Sequence, residues 1–342
     1  MNKKILLGAV AILLLCSHDM FLKLDNYFLE PETPAVIELV NGTFENSENT
    51  IDRNRMLDVS LVGNGQRTEV DSTQWFEKDL STYLDFTTGK SGTWIAGVST
   101  APRNIEMEAE RFNNYLDHDG VVDMLQYRKD NNELDQDAVE KYSKHVKTIF
   151  QVGNDKSEDW KTVMGYPIEF VPLENPYEIH AGHDLQVRLL LRGKPLKNQL
   201  VLIGNKEDHQ HAANGTHSHD GGEEHSHDDN AGKEHSHDDL KEVRTDKNGI
   251  VKFNLDSSGV WFLKTIHMEK SAIEGLTHES NWATLTFQAG TSDHSHDNAS
   301  HSHDTAKHDH HDHEEGGIPS YVFWIGSFVL VGILFFLFNR KK

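Results

Sequence analysis
Two stretches of this 342-residue chain cannot belong to a packed core, and they decide how the rest must be read. Residues 205–239 hold eight histidines, ten acidic and two basic side chains. Residues 290–316 hold eight histidines, seven acidic side chains and one basic. Neither stretch has an apolar side chain larger than alanine, so neither can bury enough surface to offset the entropy of ordering it. The fold must come from the chain around them. These tracts hold sixteen of the 23 histidines and most of the formal net charge of −22. No basic face remains that could displace counterions from a phosphate backbone, so nucleic acid is excluded as a partner.

The ends read as targeting segments. Lys3 and Lys4 precede the apolar run 5–15, and residues 1–17 read as a signal peptide. Ser17 is a suitable small residue at the cleavage site, and Leu15 two positions earlier is a poor one. A lipoprotein anchored through Cys16 would need small residues before the cysteine, where Leu14 and Leu15 stand. Cys16 is the only cysteine, so cleavage after Ser17 leaves no thiol for a disulfide, a metal or a nucleophile. Residues 318–338 are almost unbroken apolar chain, and at about 1.5 Å per residue they cover a bilayer core of about 30 Å. Tyr321 and Trp324 sit near one edge, and the tail 339–342 carries Arg340, Lys341 and Lys342. Those charges place the C-terminus in the cytoplasm. The body is then extracytoplasmic, on a bacterial cell envelope, with one C-terminal transmembrane helix.

Between these ends the pattern is mainly β. Residues 18–105 contain short β-prone runs at 36–40, 56–62, 84–86 and 94–98, separated by Asn41-Gly42, Gly63-Asn64-Gly65 and the segment 89–92. They predict a first sandwich. Residues 106–150 take a helical period: Met107, Phe112, Tyr115 and Leu116, then Val121, Met124 and Leu125, then Val139, Tyr142, Val146 and Ile149. Asp135 or Asp137 would cap the last helix. Residues 151–289 return to strands at 185–191, 200–203, 250–255, 260–266 and 282–287. The expected fold class is two immunoglobulin-like β-sandwich domains with a helical insertion. The tract 205–239 becomes a loop of the second domain, and 290–317 a His-rich linker to the membrane helix.

The tracts repeat a unit seen in Thr216-His217-Ser218-His219-Asp220, Glu224-His225-Ser226-His227-Asp228 and Glu234-His235-Ser236-His237-Asp238, with His209 and His211 before them. It returns as Asp293-His294-Ser295-His296-Asp297 and Ser300-His301-Ser302-His303-Asp304, followed by His308, His310, His311 and His313. Neutral imidazole binds zinc, nickel, cobalt and copper, and the interleaved carboxylates add oxygen ligands and a field that attracts cations. Alternating histidines form a high-capacity chelator of low selectivity, unlike the fixed geometry of two histidines one helical turn apart. Binding needs deprotonated imidazole and should fade below about pH 6.5. A merely solvating acidic linker would need no histidine.

Seven histidines lie outside the tracts: His18, His118, His145, His180, His183, His267 and His278. Cleavage after Ser17 would make His18 the mature N-terminus, whose amine and ring Nδ1 can chelate one ion. His180 and His183 share a turn before a strand and are spaced to meet at one ion. His267 ends a strand. His118 and His145, on the helical segment, read as structural. There is no G-x-S-x-G, P-loop or H-E-x-x-H, and no enzyme is indicated.

Several segments together resemble the NikM-like family of bacterial extracytoplasmic nickel/cobalt uptake proteins, long catalogued as a domain of unknown function. They are His18-Asp19-Met20-Phe21-Leu22, then Lys141-Tyr142-Ser143-Lys144 with Lys147 and Gln151-Val152-Gly153, then Gly193-Lys194-Pro195-Leu196. Thr245-Asp246-Lys247-Asn248-Gly249 follows with Phe253, Gly259, Trp261 and His267, and last Glu279-Ser280 with the run 282–287. The resemblance implies two immunoglobulin-like domains, delivery of a transition metal to a transporter, and His18 and His267 as ligands. His180 and His183 rest on their chemistry alone. The expected function is capture of zinc, nickel or cobalt, with copper possible, for a membrane or outer-membrane transporter. A buffering or tolerance protein is the alternative, and a copper enzyme with an N-terminal His18 site is a minor one.

Overall fold
Residues 138–152, expected to end a helical segment, form the longest strand of the molecule. The computed structural model describes residues 19–179, 182–206 and 240–289. The first strands are β1 (Asp19–Lys23), β2 (Phe28–Leu29), β3 (Pro34–Gly42), β4 (Met56–Gly63) and β5 (Gln66–Glu69). Next come β6 (Trp75–Lys78), β7 (Ser81–Thr87), β8 (Gly92–Thr100) and β9 (Arg103–Met107). Helices α1 (Ala109–His118) and α2 (Val122–Asp130) precede β10 (Ala138–Val152). After it run β11 (Ile168–Pro172), β12 (Asp184–Leu191), β13 (Lys194–Pro195) and β14 (Leu200–Lys206). The described chain closes with β15 (Lys241–Arg244), β16 (Ile250–Asn254), β17 (Gly259–Lys270) and β18 (His278–Ala289).

One ten-stranded sheet carries the molecule, in the order β15-β14-β17-β18-β10-β8-β4-β5, with β2 and β9 also on β10. Within it β10 and β18 run parallel, Glu140 opposite His278. A four-stranded sheet, β1-β3-β7-β6, covers one face, and another, β11-β12-β13 with β16, covers the opposite face. Neighbouring residues on the shared strands therefore point into different cores. Leu61, Ala96 and Phe150 join Met20, Ile37 and Leu84 in the first core. Val62, Ile95 and Ile149 join Phe170, Val187 and Phe253 in the second. The helices add a third cluster, in which Phe112, Leu116 and Leu125 meet Ile266, Met268 and Trp282.

This corrects the helical reading of 106–150. A strand covered on both faces shows no alternation of apolar and polar residues, so the period of two is erased and spacings of three and four emerge by accident. Only α1 and α2 are helical. Asp137 does cap a helix, but a distant one: its Oδ1 accepts the Ala109 N–H at 2.9 Å, at the start of α1. The mainly β class stands. The two expected domains are not separated by a linker, because the ten-stranded sheet spans both. The expected signal peptide, both tracts, the membrane span 318–338 and the tail lie outside the described residues. Among the described residues no helix is long and apolar enough to cross a membrane.

The strands flanking residues 207–239 are hydrogen-bonded neighbours, with Ile203 of β14 opposite Lys241 of β15. On β17, Val260 faces Lys206 and Gly259 faces Ala289. The chain thus leaves the described body toward both tracts from one end of the sheet.

Candidate functional site
The face of the ten-stranded sheet beneath β1 and α1 carries polar side chains that a closed core would reject. Alternation sets Glu140, Tyr142 and Lys144 of β10 on this face, beside Ser280, Trp282 and Thr284 of β18 and Lys264 of β17. Register brings Lys144 opposite Trp282 and Lys264 opposite Thr284. Strand β1 lies across them. The Thr284 hydroxyl donates to the Met20 carbonyl at 2.8 Å and the Thr286 hydroxyl to the Leu22 carbonyl at 2.5 Å. Asp19, at the head of β1, pairs with Lys264 at 2.6 Å.

Helix α1 closes the site. Its apolar residues Phe112, Tyr115 and Leu116 face the sheet, and His118, Asp119 and Gly120 end it. Gly120 has φ 73°, and a Cβ there would stand 3.2 Å from Leu202 Cδ1, so this turn is pressed onto β14. His118 Nδ1 lies 3.1 Å from Asp119 Oδ1. That bond raises the His118 pKa above its ordinary value.

The buried groups answer one another. Tyr115 OH donates to Glu140 at 3.2 Å, and the Ser280 hydroxyl donates to the same oxygen. Burial nonetheless pushes the Glu140 carboxyl up to about 7. Tyr115 stacks on Trp282 with centroids 6.0 Å apart. Lys144 donates to Asn41 Oδ1 at 3.0 Å and lies 5.2 Å from the Trp282 ring centre. Burial brings its pKa down to about 8. Burial works against charge on Lys264 too, but Asp19 and Asp119 outweigh it and hold its pKa raised. Asp119 acts electrostatically on Glu140, Lys144 and Lys264 alike, which places all four in one neighbourhood. Three carboxyl groups thus face two ammonium groups, a balance that leaves room for a cation.

The structure does not gather the predicted ligands. His18, His180 and the sixteen tract histidines lie outside the described residues. His267 is on the other face of β17 from Lys264, with Nδ1 2.9 Å from Gln199 Oε1 and Nε2 3.5 Å from Glu269. His183 is exposed, and its carbonyl accepts the Leu255 N–H at 2.9 Å before β12. Glu269 pairs with Arg192 just past the far end of β12, so His183 and His267 are separated by the length of that strand, roughly 25 Å. Among the described residues no three His, Asp or Glu side chains are grouped to share an ion.

The other histidines divide by partner. His145 is on β10 rather than a helix, buried, with both ring nitrogens bonded, to Ser99 at 2.9 Å and Ser143 at 3.0 Å. Burial lowers its pKa to about 4. His278 is buried with Nδ1 2.7 Å from the Thr277 hydroxyl and no partner for Nε2. Its pKa is also lowered to about 4, by burial first and then by Lys270 and Arg128. Asp119, Glu140, Lys144 and Lys264 escaped the sequence reading. Lysines recurring in apolar strands were their only signal.

Comparisons with known proteins add little about activity. No curated protein matches the chain. Among solved structures, the D0-D1 domain of intimin is 10% identical at a TM-score of 0.18, covering 80% of this chain and 98% of that one. The trypsin-activated alpha-2-macroglobulin of Escherichia coli is 8% identical at a TM-score of 0.18, covering 80% of this chain and 16% of its own. The Escherichia coli adhesin FdeC is 11% identical at a TM-score of 0.18, over 81% and 64%. Likeness this slight bears on neither fold nor function. A family is matched over residues 15–269, and the chain belongs to that family, described as "Domain of unknown function (DUF4198)".

Proposed function
We propose that this is a membrane-tethered extracytoplasmic protein that captures a divalent transition metal and passes it to a transporter. The observation that carries the reading is the concentration of sixteen of 23 histidines, interleaved with carboxylates, in two tracts. Zinc, nickel and cobalt suit such donors, and copper is bound in vitro by the Irving–Williams order. In this reading residues 1–17 are removed, 318–338 anchor the body to a bacterial envelope membrane, and the NikM-like resemblance supplies the transport role. The two lobes correspond to the two immunoglobulin-like sandwiches of that family.

The tracts collect and a defined site holds. The polar face under β1 is the better candidate for the second task. His118 and Asp119 offer nitrogen and oxygen side by side, and His18 is bonded directly to Asp19, about 3.8 Å from Cα to Cα. A free amine and imidazole at His18 would complete a compact site for a borderline divalent ion. His267 and His183 stand apart from it. The high capacity of sixteen imidazoles favours buffering as the second reading.

The test is titration of the full chain with zinc, nickel and cobalt, with both tracts intact and with their histidines changed to serine. One tight ion surviving in the second form, and lost in His18→Ala or His118→Ala, is expected. Loss of all binding with the tracts would leave only a buffering protein.

A further inference from the structure
We propose that the ions gathered by residues 207–239 reach the site under β1 within one molecule, without release to solvent. This rests on the metal reading of that site.

The argument is one of placement. Strand β14 passes the site: Leu202 is opposite Lys264, the partner of Asp19, and the turn carrying Asp119 and Gly120 is pressed against Leu202. From Leu202 the strand runs four residues to Lys206, about 13 Å. The chain returns at Leu240, which packs against the cluster of Phe21, Phe44 and Phe262. Phe21 is two residues beyond Asp19, and its ring is 5.5 Å from that of Phe262. Both roots of the tract therefore stand about 15 Å from the Asp19–Lys264 pair. His209 follows Lys206 by three residues, and His237 precedes Leu240 by three. Three residues of chain span at most about 11 Å, before the length of the side chain is added. Imidazoles at both ends of the tract are thus within covalent reach of His118 and Asp119. A donor tethered at this distance acts at an effective concentration in the millimolar range, so transfer becomes a first-order step.

Stopped-flow fluorescence on the full chain in detergent tests this, with the histidines of 290–316 changed to serine so that one tract remains. Half an equivalent of Ni²⁺ is added, and site loading is read as the quenching that disappears in Trp282→Phe. The expected result is a loading phase whose rate constant is unchanged over a tenfold range of protein concentration. Changing the eight histidines of 207–239 to serine as well should make that rate proportional to concentration. A rate proportional to concentration with the tract intact, or unaltered by its loss, overturns the proposal. If neither form takes up Ni²⁺ with quenching of Trp282, the site itself is wrong, a failure distinct from that of transfer.

Discussion

The two faces of the ten-stranded sheet solve burial differently. Under β11, β12 and β16 the core is built of Ile, Leu, Val and Phe, and its one inserted charge pair, Lys147 with Glu169 at 3.1 Å, is enclosed by hydrogen bonds. Lys147 also donates to the Phe170 carbonyl, and Glu169 accepts the Met164 and Gly165 N–H groups. Under β1 and α1 the sheet instead buries Glu140, Lys144 and Lys264 around the head of the chain. A closed pair can be tolerated for the sake of packing. Charged groups that burial drives toward neutrality are costly to keep, and their concentration on one face marks that face as the functional one.

The largest test breaks the apolar face. Phe170→Ala should destabilise by about 3–5 kcal/mol, measured by urea unfolding, because Phe170 is fully buried among both sheets. A loss below about 1 kcal/mol would mean that this face is no better packed than the other.

The second test concerns Glu140, whose pKa rises from its ordinary value to about 7. The folded state then binds more protons than the unfolded one between about pH 4.4 and 7, so its contribution to stability falls as pH rises through that window. Glu140→Gln should remove this slope. Relative to the parent it should gain about 3 kcal/mol between pH 4.4 and pH 8. Parallel stability curves for the two proteins would show that the carboxyl is not strained by burial.

The smallest effect belongs to Asp137, which caps α1 from outside the helix. Asp137→Ala should cost about 1 kcal/mol and leave metal binding unchanged. A loss of metal binding there would show that the placement of α1 is adjusted more finely than its packing suggests.

Much of this architecture could be read before any fold was known. The β-prone runs at 36–40, 94–98 and 282–287 lie within β3, β8 and β18. The failure at 138–152 has a physical cause, since burial on both faces removes the very alternation by which strands are recognised. The site was harder to read. Asp19, Asp119, Glu140, Lys144 and Lys264 come from five places along the chain, and only strand register assembles them. His118 looked structural because nothing in its own helix shows that Asp19 and Lys264 approach it.

The place of β18 governs when this protein can fold. It is the last described strand, yet it lies inside the sheet between β17 and β10, and its hydroxyls hold the carbonyls of β1. Until residues 278–289 emerge, the early strands have no edge to join and the chain start has nothing to dock on. Glu140 must find His278 across 138 residues, and pairings so distant in sequence are slow. The chain must therefore be kept from aggregating until synthesis has passed its last strand. A truncation before β18 would lose the whole body and not merely its end.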